Sequence, residues 1–298
     1  MSSLAGKGCP VLVPLCERKS LAEIEKSLIK KYRKQLWSRF IKAIKEYKLV
    51  EEGDKIAVAV SGGKDSLIMA KLFQELQKHG HVKFDLEFIA MDPGFHRINK
   101  EMLVENCQYL DIPVHIFESG IFDIVDNIAQ DYPCYMCARM RRGALYNKAT
   151  ELGCNKLALG HHFNDVIETT MLNVLYAGNF KTMLPRLRSS NFGNMELIRP
   201  LFHIEEPDII RWSQMNGIET MNCGCVVAAS KVSSKRQEMK ELIVTLKKTF
   251  RDVDKSIFQA ANNVQLDAIL GWKKDGQKHS YLDNYFDEED EFSVKEKI

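Results

Sequence analysis

No stretch of this 298-residue chain approaches the run of about 18 apolar residues that a membrane-spanning helix requires, so a membrane span is not expected. Charge of one sign is not in excess either. The 42 Lys and Arg against 40 Asp and Glu leave a formal +2, too near neutrality to argue for a polyanionic partner from bulk charge, so any basic surface must be local. The opening MSSLAGKGCPVLVPLCERKS holds only a short apolar stretch, Val11 to Leu15, interrupted by proline. A secretory signal is therefore not expected, and a cytoplasmic location is. In that compartment the eight cysteines (Cys9, Cys16, Cys107, Cys134, Cys137, Cys154, Cys223 and Cys225) read as thiols, metal ligands or catalytic groups rather than a disulfide framework. No internal repeat is present.

What is there is an ordinary globular composition, 45% hydrophobic and 28% charged, long enough for one large domain or two modest ones. Residues 1–20 carry little pattern and read as flexible. Over 21–50, LAEIEKSLIKKYRKQLWSRFIKAIKEY repeats apolar residues at helical spacing. KIAVAV (55–60) is the apolar run of a strand covered on both faces. Helix and strand patterns then alternate: a helix over 65–80, a strand over 84–92, a helix over 98–111, a strand over 112–119, a helix over 137–153, a strand over 155–162, a helix over 165–178, and a further strand within 195–202. This predicts an α/β, doubly wound, mainly parallel sheet spanning 51–230, with helical additions at both ends. Residues 231–282 form the C-terminal helical region, with a weak last helix through 256–270. The acidic tail 283–298 is expected to be disordered.

Between the first strand and its helix stand Ser61, Gly62, Gly63, Lys64, Asp65 and Ser66. The Walker A spacing G-x-x-x-x-G-K-[ST] is absent, as is G-x-G-x-x-G. The physics of an anion loop remains. Two glycines let backbone N–H groups turn toward a phosphate, and the helix behind offers its positive end. Ser61 and Ser66 add hydroxyls, Lys64 a charge, and Asp65 a ligand for Mg²⁺. The plainer alternative is a tight strand–helix turn with Lys64 and Asp65 merely exposed. SGGKDS resembles the phosphate loop of the N-type ATP pyrophosphatases, the PP-loop superfamily. That likeness implies an adenine nucleotide alpha hydrolase-like fold and ATP used to adenylate a carbonyl oxygen with release of pyrophosphate.

Cys134 and Cys137 form a C-x-x-C at a predicted helix start, and Cys223 and Cys225 follow far downstream. Four thiolates close a structural zinc site; three hold a [4Fe–4S] cluster with one iron open. Cys107 and Cys154 lie in apolar segments and read as core residues. The stretch CYMCARMRRGALYNKATELGCNKLALGHHFNDVIETTMLNVLYAG (134–178), with IRPLF (198–202) and a late cysteine pair, is very similar to the tRNA 2-thiocytidine synthetase family, over roughly 36–226. The resemblance implies a tRNA sulfurtransferase that adenylates a cytidine in the anticodon loop and replaces its O2 with sulfur. It implies a [4Fe–4S] cluster on Cys134, Cys137 and a late cysteine. Aligned on the first of the pair the ligand is Cys223, but the family spacing is C-x-x-C where this chain has Cys223-Gly224-Cys225, so Cys225 stands as the other candidate.

The resemblance also places Met91 and Asp92 near the adenosine. Gly160, His161 and Asp165, in GHHFND, emerge at a strand's carboxyl end, where nucleotide is expected. Lys64, Asp65 and Asp165 are the catalytic candidates. Arg141, Arg142, Lys181, Arg186 and Arg188 are candidates for the tRNA backbone; as bare charges they read equally as a solvated face. The family implies a sulfur donor such as a cysteine desulfurase and a homodimer. Other readings are a lysidine-type ligase, which needs no cysteines, a uridine thiolase, or an ATP-binding iron–sulfur redox sensor.

Overall fold

The computed structural model describes residues 18–95, 97–119, 133–219 and 235–283, with the side chains of 133–138 excepted. The first helix, α1 (Leu21–Lys26), opens on a capping box. The Ser20 side chain accepts from the Glu23 N–H, and the Glu23 carboxylate accepts from the Ser20 N–H. Behind α1 come two π-helical segments, Ser27–Lys31 and Arg33–Trp37, before α2 (Ser38–Glu46). The reason lies in the sequence: the buried positions Ile24, Leu28, Tyr32, Leu36, Phe40 and Ile44 recur every fourth residue. At 3.6 residues per turn such a stripe rotates by about 40° per repeat and leaves the core. Wider π turns (i→i+5) unwind it and keep it on one face.

Six strands form the main sheet in the order β3–β2–β1–β4–β6–β5: β1 (Lys55–Ala59), β2 (Asp85–Asp92), β3 (Val114–Glu118), β4 (Lys156–Ala158), β5 (Arg186–Arg188) and β6 (Glu196–Ile198). All neighbours are parallel except β5 on β6. The mainly parallel doubly wound fold is thus present. β5 is an addition: residues 186–188 read as loop in the sequence but pair as the antiparallel edge.

Alternation along β1 divides the core. Ile56, Val58 and Val60 face one cluster together with Leu67, Ile68 and Phe73 of α3 (Lys64–His79), Leu103 and Cys107 of α4 (Arg97–Tyr109) and the N-terminal stripe. Ala57 and Ala59 face the other, with Tyr146 and Ala149 of α5 (Pro133–Glu151). Cys107 and Cys154 are buried, and burial pushes their thiols up to about 12 and about 11, as suits inert core cysteines.

Three further helices frame the sheet's carboxyl end: α6 (Phe163–Leu175), α7 (Glu206–Met215) and α8 (Lys235–Thr249), followed by α9 (Val253–Ala260). The helix predicted through 256–270 ends at Ala260. Leu266–Ala268 is a 3₁₀ turn, and β7 (Gly271–Lys274) with β8 (Gln277–Ser280) makes a separate hairpin. Among the described residues no helix is long and apolar enough to cross a membrane.

Candidate active site

Strand order reverses beside β1: β2 and β3 lie on one side, β4 and β6 on the other. Ligands of open α/β sheets bind at the carboxyl ends of strands at such a reversal, and there the loop 61–66 leaves β1 while 159–162 leaves β4. Gly62 has φ +80°, which a side chain rarely adopts. Gly63 caps α3 with extended backbone, and no side chain caps this N-terminus. Its first N–H groups are open to an anion. Ser66 is the loop's brace: its Oγ accepts from the Ser61 N–H (3.0 Å) and donates to the Gly63 carbonyl (2.9 Å).

Gly160 packs directly on that brace. A Cβ there would meet the Asp65 carbonyl carbon at 3.1 Å and the Ser66 nitrogen at 3.2 Å, so a side chain would press the two strand exits apart by a few tenths of an ångström. His162 caps α6 reciprocally with Asp165: the Asp165 carboxylate accepts from the His162 N–H (2.9 Å). His162 Nε2 also lies 3.7 Å from Asp65 Oδ1. Asp65, Lys64, His162, Asp165 and Gly160 are therefore brought together.

An ionic chain runs through this group. Lys64 Nζ lies 3.1 Å from Asp65 Oδ2 and 3.1 Å from Glu206 Oε1, and Lys240 Nζ lies 2.6 Å from Glu206 Oε2. Arg236 Nη2 is 3.4 Å from Asp165 Oδ1 and Arg236 Nε 3.2 Å from Glu168 Oε2. Burial works against the Lys64 charge, yet Asp65 and Glu206 outweigh it and hold the ammonium above its usual range. Burial also opposes the Glu206 charge, but Lys240 and Lys64 pull its carboxyl down to about 2. For Asp65 burial wins over His162 and Lys64, and its carboxyl is raised. Glu168 goes up to about 7, because burial outweighs Arg236.

Glu206, Glu168, Arg236 and Lys240 were missed from the sequence. Pro207 and the acidic first turn of α7 announce a helix start at Glu206. Arg236 and Lys240 look like any exposed face of an amphipathic helix.

Met91 and Asp92 end β2. The Asp92 carboxylate accepts from the Gly94 N–H (3.0 Å) and the Phe95 N–H (2.7 Å) and pairs with Lys100 (2.9 Å), so its side chain builds the turn and only backbone remains for a nucleotide base. The basic candidates divide. Arg142, Lys181 and Arg188 are exposed and Arg141 half-buried. Arg186 is engaged: its guanidinium is held by Glu196 (2.7 Å), Glu51 (2.7 Å) and the Lys48 carbonyl, because it sits on β5 facing those acids.

Among the described residues two buried polar atoms here make no hydrogen bond, His161 Nδ1 and, apart from the 3.7 Å approach of His162 Nε2, Asp65 Oδ1. With the uncapped helix and the glycine turn, they fit a nucleotide with its divalent ion. Among the described residues no group of three His, Cys, Asp or Glu is assembled for a metal, so an ion at Asp65 would take its other ligands from phosphates. Cys134 and Cys137 occupy positions three apart at the start of α5. Cys223 and Cys225 lie outside the described residues, as do residues 1–17 and the acidic tail from 284. A set made of thiols alone suits an iron–sulfur group.

A glycine loop leading into a helix at the reversal point of a parallel sheet is the architecture of a PP-loop domain, and the sequence model of that domain matches residues 32–222. The chain is 37% identical over 235 residues to the tRNA-cytidine(32) 2-sulfurtransferase of Syntrophotalea carbinolica, covering 77% of this chain and 90% of that protein. It is 36% identical over 259 residues to the enzyme of the same name from Cellvibrio japonicus, covering 85% and 82%. The chain belongs to the tRNA 2-thiocytidine synthetase family of PP-loop proteins. Its fold is also that of the U34-tRNA thiolase NcsA from Methanococcus maripaludis, solved with its [4Fe-4S] cluster. The TM-score is 0.62 and the identity 24%, over 78% of this chain and 80% of that one.

Proposed function

We propose that this chain is an ATP-dependent tRNA sulfurtransferase that converts a cytidine of the anticodon loop to 2-thiocytidine. The observation that carries the reading is the uncapped α3 N-terminus beside an Asp65 carboxylate oxygen that makes no hydrogen bond among the described residues, in a chain that aligns over most of its length with tRNA-cytidine(32) 2-sulfurtransferases.

ATP phosphates sit on the N–H groups of 62–65, with Lys64 exchanging a carboxylate partner for phosphate oxygen. Asp65 would hold Mg²⁺ together with phosphate oxygens, Asp165 orients the nucleotide, Gly160 and His161 flank it, and backbone at Met91 and Asp92 meets the adenine. The cytidine O2 attacks the α-phosphorus, the bond to the bridging oxygen breaks, and pyrophosphate leaves with that electron pair. A sulfide equivalent then adds at C2 and AMP departs. A [4Fe–4S] group on Cys134, Cys137 and Cys223 or Cys225 would, when bound, carry the sulfide to be transferred. The stem-and-loop backbone rests on Arg141, Arg142, Lys181 and Arg188, and the target base is splayed out of the loop. Sulfur comes from a donor of the cysteine desulfurase class, with a two-electron reductant to release its persulfide sulfur as sulfide. The working form is a cytoplasmic homodimer, with 51–230 as catalytic domain and 21–50 and 231–282 as helical additions.

The test is an anaerobic single turnover with ATP, sulfide and bulk tRNA, read by nucleoside mass spectrometry. 2-Thiocytidine is the expected product. 2-Thiouridine would move the chain to uridine chemistry, and no thionucleoside from a brown, cluster-loaded protein would sink the enzyme reading. The two halves separate by mutation. Cys134→Ala is expected to abolish the visible absorbance and spare ATP binding, and Lys64→Ala to weaken ATP binding about tenfold or more and keep the colour.

A further inference from the structure

Arg199, one residue past β6, is 5% exposed, yet its Nε has no hydrogen-bond partner. The rest of the residue is fixed from one side: its N–H donates to the Pro185 carbonyl (2.9 Å) and Nη1 to the Leu184 carbonyl. Among the described residues no carboxylate forms an ion pair with it. The Leu159 N–H donates to the Ile198 carbonyl (3.0 Å), which continues the β4–β6 register, Ala158 opposite Ile198, and sets the exit carrying His161 beside the one carrying Arg199. His161 Nδ1 is the second unpartnered buried nitrogen there. A buried guanidinium without an ion pair is expensive, and buried polar atoms left without a hydrogen bond call for a partner that the described residues do not supply. Burial, and then Arg142, lower Arg199 to about 10, and burial with Arg199 lowers His161 to about 4. These groups repel one another's charge, which an arriving anion would relieve.

We propose that Arg199, with His161 beside it, is a second phosphoryl-binding seat, separate from the loop 61–66. Its ligand is a phosphate ester, either the α-phosphoryl group of the nucleotide or a backbone phosphate of the tRNA. With the backbone N–H on the Pro185 carbonyl and Nη1 on the Leu184 carbonyl, Nε is left for a phosphate oxygen, and the planar fork suits that ligand better than an ammonium. The inference rests on the sulfurtransferase reading, and pyrophosphate, which needs only the loop 61–66, separates the two.

The experiment measures dissociation constants of the full-length, anaerobically purified protein for ATP, AMP, pyrophosphate and bulk tRNA, in wild type, Arg199→Gln and Arg199→Lys. Arg199→Gln is expected to weaken AMP, if the ligand is the α-phosphoryl group, about tenfold and leave pyrophosphate within about twofold. If the ligand is a tRNA phosphate, tRNA weakens instead and the slope of log affinity against log salt falls by about one. Arg199→Lys keeps the buried charge and serves should the Gln variant not fold; it is expected to give the same pattern at about threefold. AMP and tRNA affinities both unchanged, or pyrophosphate lost in parallel with AMP, would overturn the seat. A wild-type protein that binds neither ATP nor pyrophosphate would overturn the sulfurtransferase reading itself.

Discussion

His161 and Glu168 stand one on each side of the His162–Asp165 cap and are displaced in opposite directions. Burial, with Arg199 next, lowers His161 to about 4 from 6.5, and burial raises Glu168 to about 7 from 4.5. As pH falls from 6.5 toward 4, the unfolded chain takes a proton at His161 that the folded chain refuses, so stability drops. As pH falls from 7 toward 4.5, the folded chain takes a proton at Glu168 that the unfolded chain does not, so stability rises. The two slopes oppose each other between pH 4.5 and 6.5. Glu168→Gln removes the second. Relative to wild type, that variant is expected to lose on the order of 2 kcal/mol between pH 7 and 5, read from urea midpoints at several pH values; a difference that does not change with pH would refute the assignment. At this scale the sequence was legible where chemistry is contiguous. Ser61 to Ser66, Gly160 and Asp165 lie in short motifs and the structure gathers them. Arg199, Glu206, Arg236 and Lys240 come from three other segments, and only tertiary packing brings their charges to the site.

Among the elements, the N-terminal helix shows what periodicity can and cannot say. Apolar residues at helical spacing over 24–44 announced a buried helical face, but the face actually buried recurs at every fourth position through Phe40, which an α-helix does not hold on one side. The stripe stays buried only because Ser27–Lys31 and Arg33–Trp37 are wound as π turns. Leu36, fully buried at the second of these, should therefore behave as core rather than as a distorted surface turn. Leu36→Ala is expected to cost about 3 kcal/mol, measured by urea unfolding; a loss below about 1 kcal/mol would mean that the stripe does not carry this helix. The long buried strands and helices of the sheet were legible because their patterns run for five residues or more. β5 was not, since three residues on an edge carry no alternation, and its Arg186 looked like a free basic side chain. The β7–β8 hairpin was missed although Asp275-Gly276 marks it. Both have positive φ (+49° and +82°), the two-residue turn that Asp-Gly favours between strands.

For the molecule as a whole, the helices beyond residue 230 pack on the PP-loop domain across a buried apolar seam. Phe163, Ile167 and Ile243 form one buried cluster with Met171, Ile257 and Phe258 packed on it, and the Phe258 ring lies 5.0 Å from that of Phe163 and 5.3 Å from that of Phe202. The ion pairs Arg236–Asp165, Arg236–Glu168 and Lys240–Glu206 cross the same seam. Ending the chain at residue 230 would expose Phe163 and Ile167, now 9% and 0% accessible, and leave the nearly buried Glu168 without its arginine, a loss of several kcal/mol against a total that for most domains is about 5–15. The full chain is therefore expected to unfold in one transition when followed by circular dichroism and by tryptophan fluorescence. The chain ended at 230 is expected to bind a hydrophobic dye, melt at least about 10 °C lower and lose ATP affinity, because Lys240 no longer steadies Glu206 on Lys64. A truncated protein that melts within a few degrees of the full chain and still binds ATP would show that 231–282 is an appendage and that the seam contributes little to either the fold or the nucleotide site.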